Sequence, residues 1–183
     1  MVYKFRLISD EVDDFFREIK IDSDASFYDL HEAIIKCTGY KDDQMTSFFI
    51  CDNDWEKGTE ITLEDMGTSG SDEDIYTMKD TPLSELLEDE KQKLIYVFDP
   101  LAERVFFIEL SEVITGQNLK HAICSRKEGE APQQTVDFDE LMNTNQPLDL
   151  DEDFYGDEDF DEDDLDMEGF DMEGGNPYDD DRY

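Results

Sequence analysis

Alternating apolar residues in short runs, one well-capped helix, and a tightly turned pair of strong strands near residue 100 predict an α+β fold. The expected architecture is a mostly antiparallel sheet with one main helix packed on a face, in a β-grasp-like arrangement. Residues 1–136 form this domain, and residues 137–183 form an acidic, aromatic-interleaved tail expected to be disordered.

The elements follow in order. "YKFRLI" places Tyr3, Phe5 and Leu7 on one face and Lys4 and Arg6 on the other, the mark of a half-buried strand. "FFREIKI" repeats the pattern with Phe15, Ile19 and Ile21, although Arg17 interrupts that face. The polar linker "SDEVDD" between them predicts an antiparallel hairpin. Ser26 and Asp29 then form a capping box, in which each side chain satisfies an unpaired main-chain N–H. Leu30, Ala33, Ile34 and Cys37 make one apolar stripe, and Gly39 stands where a helix stops in the left-handed region.

"MTSFFIC" (45–51) reads as a buried strand and "EITLED" (60–65) as a shorter one. Residues 66–80 have no period and read as loop. Thr81 as cap and Pro82 as first helical residue predict a short helix. "KLIYVFD" and "RVFFIEL" are strong strands joined by "PLAE", a second hairpin. From Asn118 the pattern weakens, and "SRKEGEAPQQ" reads as surface loop. Beyond Pro147 no core-forming period remains, and such a segment buries too little to offset its ordering entropy.

Charge bounds the partners. The chain carries 52 acidic and 15 basic residues, a net of -37. Residues 149–183 hold 18 acids and one base, net -17, and residues 1–148 hold 34 acids and 14 bases, net -20. Direct nucleic-acid binding needs Lys and Arg against phosphate, and anionic membranes repel this sign, so neither is expected as a partner. A basic protein partner is. The N-terminal stretch lacks a signal-peptide pattern and no run approaches a membrane span, which predicts a cytoplasmic protein. Cys37, Cys51 and Cys124 are widely spaced, odd in number and without a C-x-x-C pair, which predicts reduced thiols, two of them core residues.

His31 and His121 are the two histidines, and neither sits in a recognisable catalytic motif. No enzyme and no cofactor is expected. Asp151, Asp153, Gly156 and Glu162 fall at positions 1, 3, 6 and 12 of a calcium loop, but Tyr155 and Glu158 break its pattern, leaving weak divalent-cation binding as an alternative use of the tail. Phe154, Tyr155, Phe160, Phe170 and Tyr178 recur through the carboxylates and are the candidate partner-binding residues. A solubilising segment with incidental aromatics is the bland alternative. Interleaved anchors favour docking on a basic surface, where charge steers the encounter and the rings supply contact. Trp55, the single tryptophan, lies in a polar turn, either plugging the core edge or exposed at a contact.

Over residues 3–135 the chain resembles the Ri-plasmid ORF-three-like family. The resemblance is carried by Arg17, by the helix motif of Phe27, Asp29, Leu30, His31, Ala33 and Ile34, by Gly39, Tyr40 and Asp42, and by the Tyr96–Asp99 strand. It departs where many members have a Gly-Asp-x-Trp turn, here "DPLAERV", and a Cys-Pro-Pro-Glu-Asp-like end, of which only Pro132 remains. The resemblance implies a compact α+β domain from bacterial mobile elements with His31 as a family position. It supplies no activity, so a role in DNA transactions stays as the alternative to a protein-interaction module.

Overall fold

The N-terminal alternation resolves into β1 (Val2–Ile8) and β2 (Phe16–Asp22), an antiparallel pair with Tyr3 opposite Ile21 and Leu7 opposite Arg17. The computed structural model describes residues 1–65 and 76–135. After β2 come α1 (Phe27–Thr38), β3 (Ser47–Cys51), β4 (Lys57–Thr62), β5 (Tyr76–Thr77), α2 (Leu83–Leu86), β6 (Lys93–Asp99), β7 (Arg104–Ile114) and β8 (Ile123–Glu128). The strands form one mixed sheet of eight, in the order β5-β4-β3-β6-β7-β1-β2-β8.

The molecule is mainly β. Every pairing is antiparallel except the short β4–β5 contact. The β-grasp picture is not confirmed, because the parallel pair lies at an edge and the N-terminal hairpin is inserted between β7 and β8. The helices bury Phe27, Leu30, His31, Ile34, Cys37 and Leu83. Apart from His31, these side chains join Tyr3, Phe5, Leu7, Ile19, Tyr96 and Phe106 in a single apolar core on one side of the sheet.

The capping box forms as predicted, with Ser26 N–H donating to Asp29 at 2.8 Å and Asp29 N–H to Ser26 Oγ at 3.1 Å. Gly39 takes a φ of +81° and donates its N–H to Ile35. Both signals are local, so both are legible in sequence.

Several expectations need correction. β4 spans Lys57–Thr62 rather than 60–65 because its register is fixed by Phe48 opposite Ile61. Pro82 occupies the cap of α2 instead of its first turn, with no side-chain cap bond, because it bridges to Ser26. Within the loop read over 66–80, Tyr76 and Thr77 pair with β4, while residues 66–75 lie outside the described residues. The segment at 123–128 is an edge strand, not a loop. All six of its residues are exposed, so no alternation betrays it. Cys37 and Cys124 are joined in a disulfide, correcting the reading of three free thiols. They lie 87 residues apart and meet only because β8 pairs with β2 beside α1. Cys51 is free and half-buried. Among the described residues no helix is long and apolar enough to cross a membrane.

Candidate functional site

Of the sequence-predicted residues, Phe154, Tyr155, Phe160, Phe170 and Tyr178 lie outside the described residues, as does the near-match to a calcium loop. Among the described residues no cluster of His, Cys, Asp and Glu has metal-binding geometry. What the fold does bring together is a set of polar residues around α1.

His31 points into the sheet and is fully buried. Its Nε2 lies 3.0 Å from Asp42 Oδ1, and its Nδ1 lies 2.8 Å from the Tyr96 hydroxyl and 3.3 Å from Thr46 Oγ1. A carboxylate only accepts, so Nε2 carries a proton, and in the neutral ring Nδ1 accepts from Tyr96. The phenol of Tyr96 is itself buried, and burial raises its pKa.

Arg17 is the second buried polar node. Its Nε donates to the Cys37 carbonyl at 3.2 Å, closing the C-terminal end of α1. Nη1 donates to the carbonyls of Phe16 (2.8 Å) and Glu128, and Nη2 to that of Gly129 (3.0 Å). The guanidinium therefore ties α1, β2 and the end of β8 together. Its plane also lies over the Phe15 ring at 4.5 Å, and burial lowers its pKa. Gly129 has a φ of +61°, and a Cβ there would stand 2.3 Å from the Asp14 carbonyl oxygen, so only glycine fits.

A third node lies on the β6–β7 hairpin. Arg104 makes a bidentate pair with Glu11 at 2.8 and 2.7 Å and lies 3.6 Å from Asp99, and the hydrogen bond to Glu11 is the main reason its pKa is raised. Asp99 accepts the Ala102 N–H across the turn. Tyr40 stacks on Phe106 and donates its hydroxyl to the Pro132 carbonyl at 2.6 Å.

A family model described as plasmid pRiA4b ORF-3-like protein matches residues 2–173. The chain belongs to that family. The match runs past the 3–135 span of the resemblance, into the acidic segment. A crystal structure of a protein of unknown function from Methanosarcina mazei Go1 has a similar fold, with TM-score 0.53 at 18% identity, covering 69% of this chain and 68% of that one. The comparison with curated proteins found no match.

The family motif residues take on physical roles in this light. Asp29 caps α1, Gly39 ends it, His31 and Asp42 fasten it to Tyr96, and Arg17 secures its last turn. Tyr40 anchors the segment after β8 through the Pro132 carbonyl.

Among the described residues, a cleft and a sheet face lie apart from these nodes. A cleft of about 460 Å³ lies between α1 and the stretch before β8, lined by Asp24, Asp29 and Glu32 against Lys36, Lys120 and His121. At its rim Asp22 accepts the N–H groups of Asp24 and Leu119, which hold its carboxyl below the usual range. The second surface is the face of the sheet away from the helices, where Trp55 lies edge-on to Phe107 with ring centres 5.0 Å apart. That face was invisible in sequence because its residues come from strands far apart in the chain. Only the outward direction of Lys4 and Arg6 could be read from local alternation.

Proposed function

We propose that the chain is a non-enzymatic protein-interaction module of bacterial cytoplasm. Its domain docks a protein, and its acidic segment over 137–183 binds a basic protein surface, with Phe154, Tyr155, Phe160, Phe170 and Tyr178 as anchors. Owners of such surfaces include nucleic-acid-binding proteins, so the segment would compete with DNA or RNA for them.

The observation that carries the domain half of this reading is where the family's polar residues direct their hydrogen bonds. Asp29, His31, Tyr40, Tyr96 and Arg17 all bond to groups of the domain itself. These are the bonds of a scaffold. The acidic half is supported by a net of -17 over residues 149–183 with large apolar residues spaced through it.

Pull-down with full-length protein and a 1–148 truncation, at low and high salt, tests it. Basic proteins retained by full-length bait alone, and released by salt, are the expected result. Screening shortens electrostatic reach from about 10 Å at 0.1 M to about 3 Å at 1 M, so salt-insensitive capture would contradict the mechanism. The plasmid origin in the family's description favours a second reading, a mobile-element protein acting in DNA transactions. DNA binding by the full chain at moderate salt would support that instead, against the repulsion of residues 1–148, whose net charge is -20.

A further inference from the structure

The sheet face opposite the helices is ordered by strand register into two rows. One row runs Ile8–Phe107–Ile95–Phe49 across β1, β7, β6 and β3. Ile95 is buried within it although it belongs to no part of the main core, and Ile8 is half exposed. The adjoining row runs Arg126–Glu18–Arg6–Glu109–Lys93–Cys51–Lys57, four cations and two carboxylates. On a domain that is strongly acidic elsewhere, this row is locally positive.

The aromatic rings at the border of the two rows are roofed by ammonium groups. Lys57 Nζ lies 4.9 Å from the Phe49 ring centre, and Lys93 Nζ lies 4.8 Å from that of Trp55. Trp55 is held there at a backbone cost. Its φ is +67°, a region bulky residues avoid. Asp52 imposes that turn by accepting the N–H groups of Asp54 (2.8 Å) and Glu56 (2.9 Å), and Lys93 closes it by donating to the Asn53 carbonyl. A turn strained so as to lay the chain's single tryptophan on the face away from the helices is a feature the core does not need.

We propose that this face binds an acidic peptide bearing aromatic or aliphatic anchors, laid across the strands. Its apolar side chains would meet the Ile8–Phe49 row and its carboxylates would meet Arg6, Lys93 and Lys57. Charge complementarity selects this occupant: a basic peptide would face three like charges, whereas an acidic one replaces the cation–ring contacts with ion pairs at the same lysines. The inference deepens the domain half of the proposed function and rests on it, but not on the acidic segment's role.

Trp55 reports the site directly. Full-length protein is titrated with a short synthetic peptide alternating Asp or Glu with Phe, while tryptophan fluorescence is followed. A saturable change is expected, weakened about tenfold in K57E/K93E protein, since reversal replaces two ion pairs with two repulsions. R6E, remote from the Trp55 turn, provides a second variant with the same direction of effect. A peptide with Ser in place of Phe should bind at least tenfold more weakly. The proposal is overturned by equal affinity in the reversed variants, or by a single-stranded oligonucleotide that shifts Trp55 fluorescence where the peptide does not. Residues 151–170 share the peptide's chemistry, so the titration is repeated with the 1–148 truncation: flat titrations of both proteins overturn this proposal, whereas salt-insensitive capture of basic proteins overturns the acidic segment's role alone.

Discussion

Arg17→Ala is the most informative single substitution. The guanidinium is fully buried, and all four of its hydrogen-bond partners are main-chain carbonyls on three elements: Phe16 of β2, Cys37 of α1, and Glu128 and Gly129 at the end of β8. A hydrogen bond to a charged group contributes about 1.5–3 kcal/mol, but four on one side chain do not add, and desolvating the guanidinium opposes them by several kcal/mol. Removal orphans buried carbonyls and opens a cavity beneath Phe15. The net loss expected is about 3–5 kcal/mol. At roughly 3 °C per kcal/mol for a domain this size, Tm falls by about 10–15 °C. Arg17→Lys keeps the charge but loses the planar fork that reaches several carbonyls at once, so it rescues little. Denaturant unfolding gives the magnitude, and hydrogen exchange tests the location, because the amides of β8 should lose protection first. Arg17→Ala protein within about 1 kcal/mol of the parent, with β8 still protected, would refute the role assigned to this residue.

Three further outcomes are expected. Reducing the Cys37–Cys124 bond, which closes a loop of 87 residues, should cost about 2–4 kcal/mol, seen as a lower thermal midpoint in reductant. A midpoint indifferent to reductant would contradict it. Tyr96→Phe leaves His31 Nδ1 with only the longer Thr46 contact and should cost about 1–2 kcal/mol in urea unfolding. An unchanged midpoint would mean the pair is energetically idle. Burial raises the pKa of Tyr3, Tyr40 and Tyr96 above the ordinary 10.0. With the folded values above the unfolded one, their stabilisation is complete below that pH and is lost as pH climbs through the folded values. Urea midpoints measured across the alkaline range should therefore decline above about pH 10, and less steeply in Tyr40→Phe protein. A decline already complete below that pH would have another cause.

What the sequence disclosed and what it hid divide along the distance between partners. Ser26 and Asp29 are three residues apart, so the helix start was legible, as were the hairpins flanking "SDEVDD" and "PLAE". Arg17 looked like an interruption of an apolar face because its partners are carbonyls, which leave no mark in a sequence. Cys124 carried no sign of Cys37 for the same reason of separation, and β8, exposed throughout, offered no period to read. The anchors chosen in the acidic segment lie beyond the described residues, whereas the aromatic and basic rows of the face away from the helices emerge only once β1, β7, β6 and β3 are set side by side.

The place of β1 has a consequence for how the chain is made. Val2 lies opposite Ile114 of β7, so β1 is an interior strand of the sheet whose neighbour arrives more than a hundred residues later. At about 5–20 residues per second, that wait is roughly 5–20 s on the ribosome. Until then β1, whose Tyr3, Phe5 and Leu7 are all buried in the finished domain, has β2 as its one paired strand. No nascent fragment that stops short of residue 114 can hold the complete sheet, and pairing over such a separation is intrinsically slow.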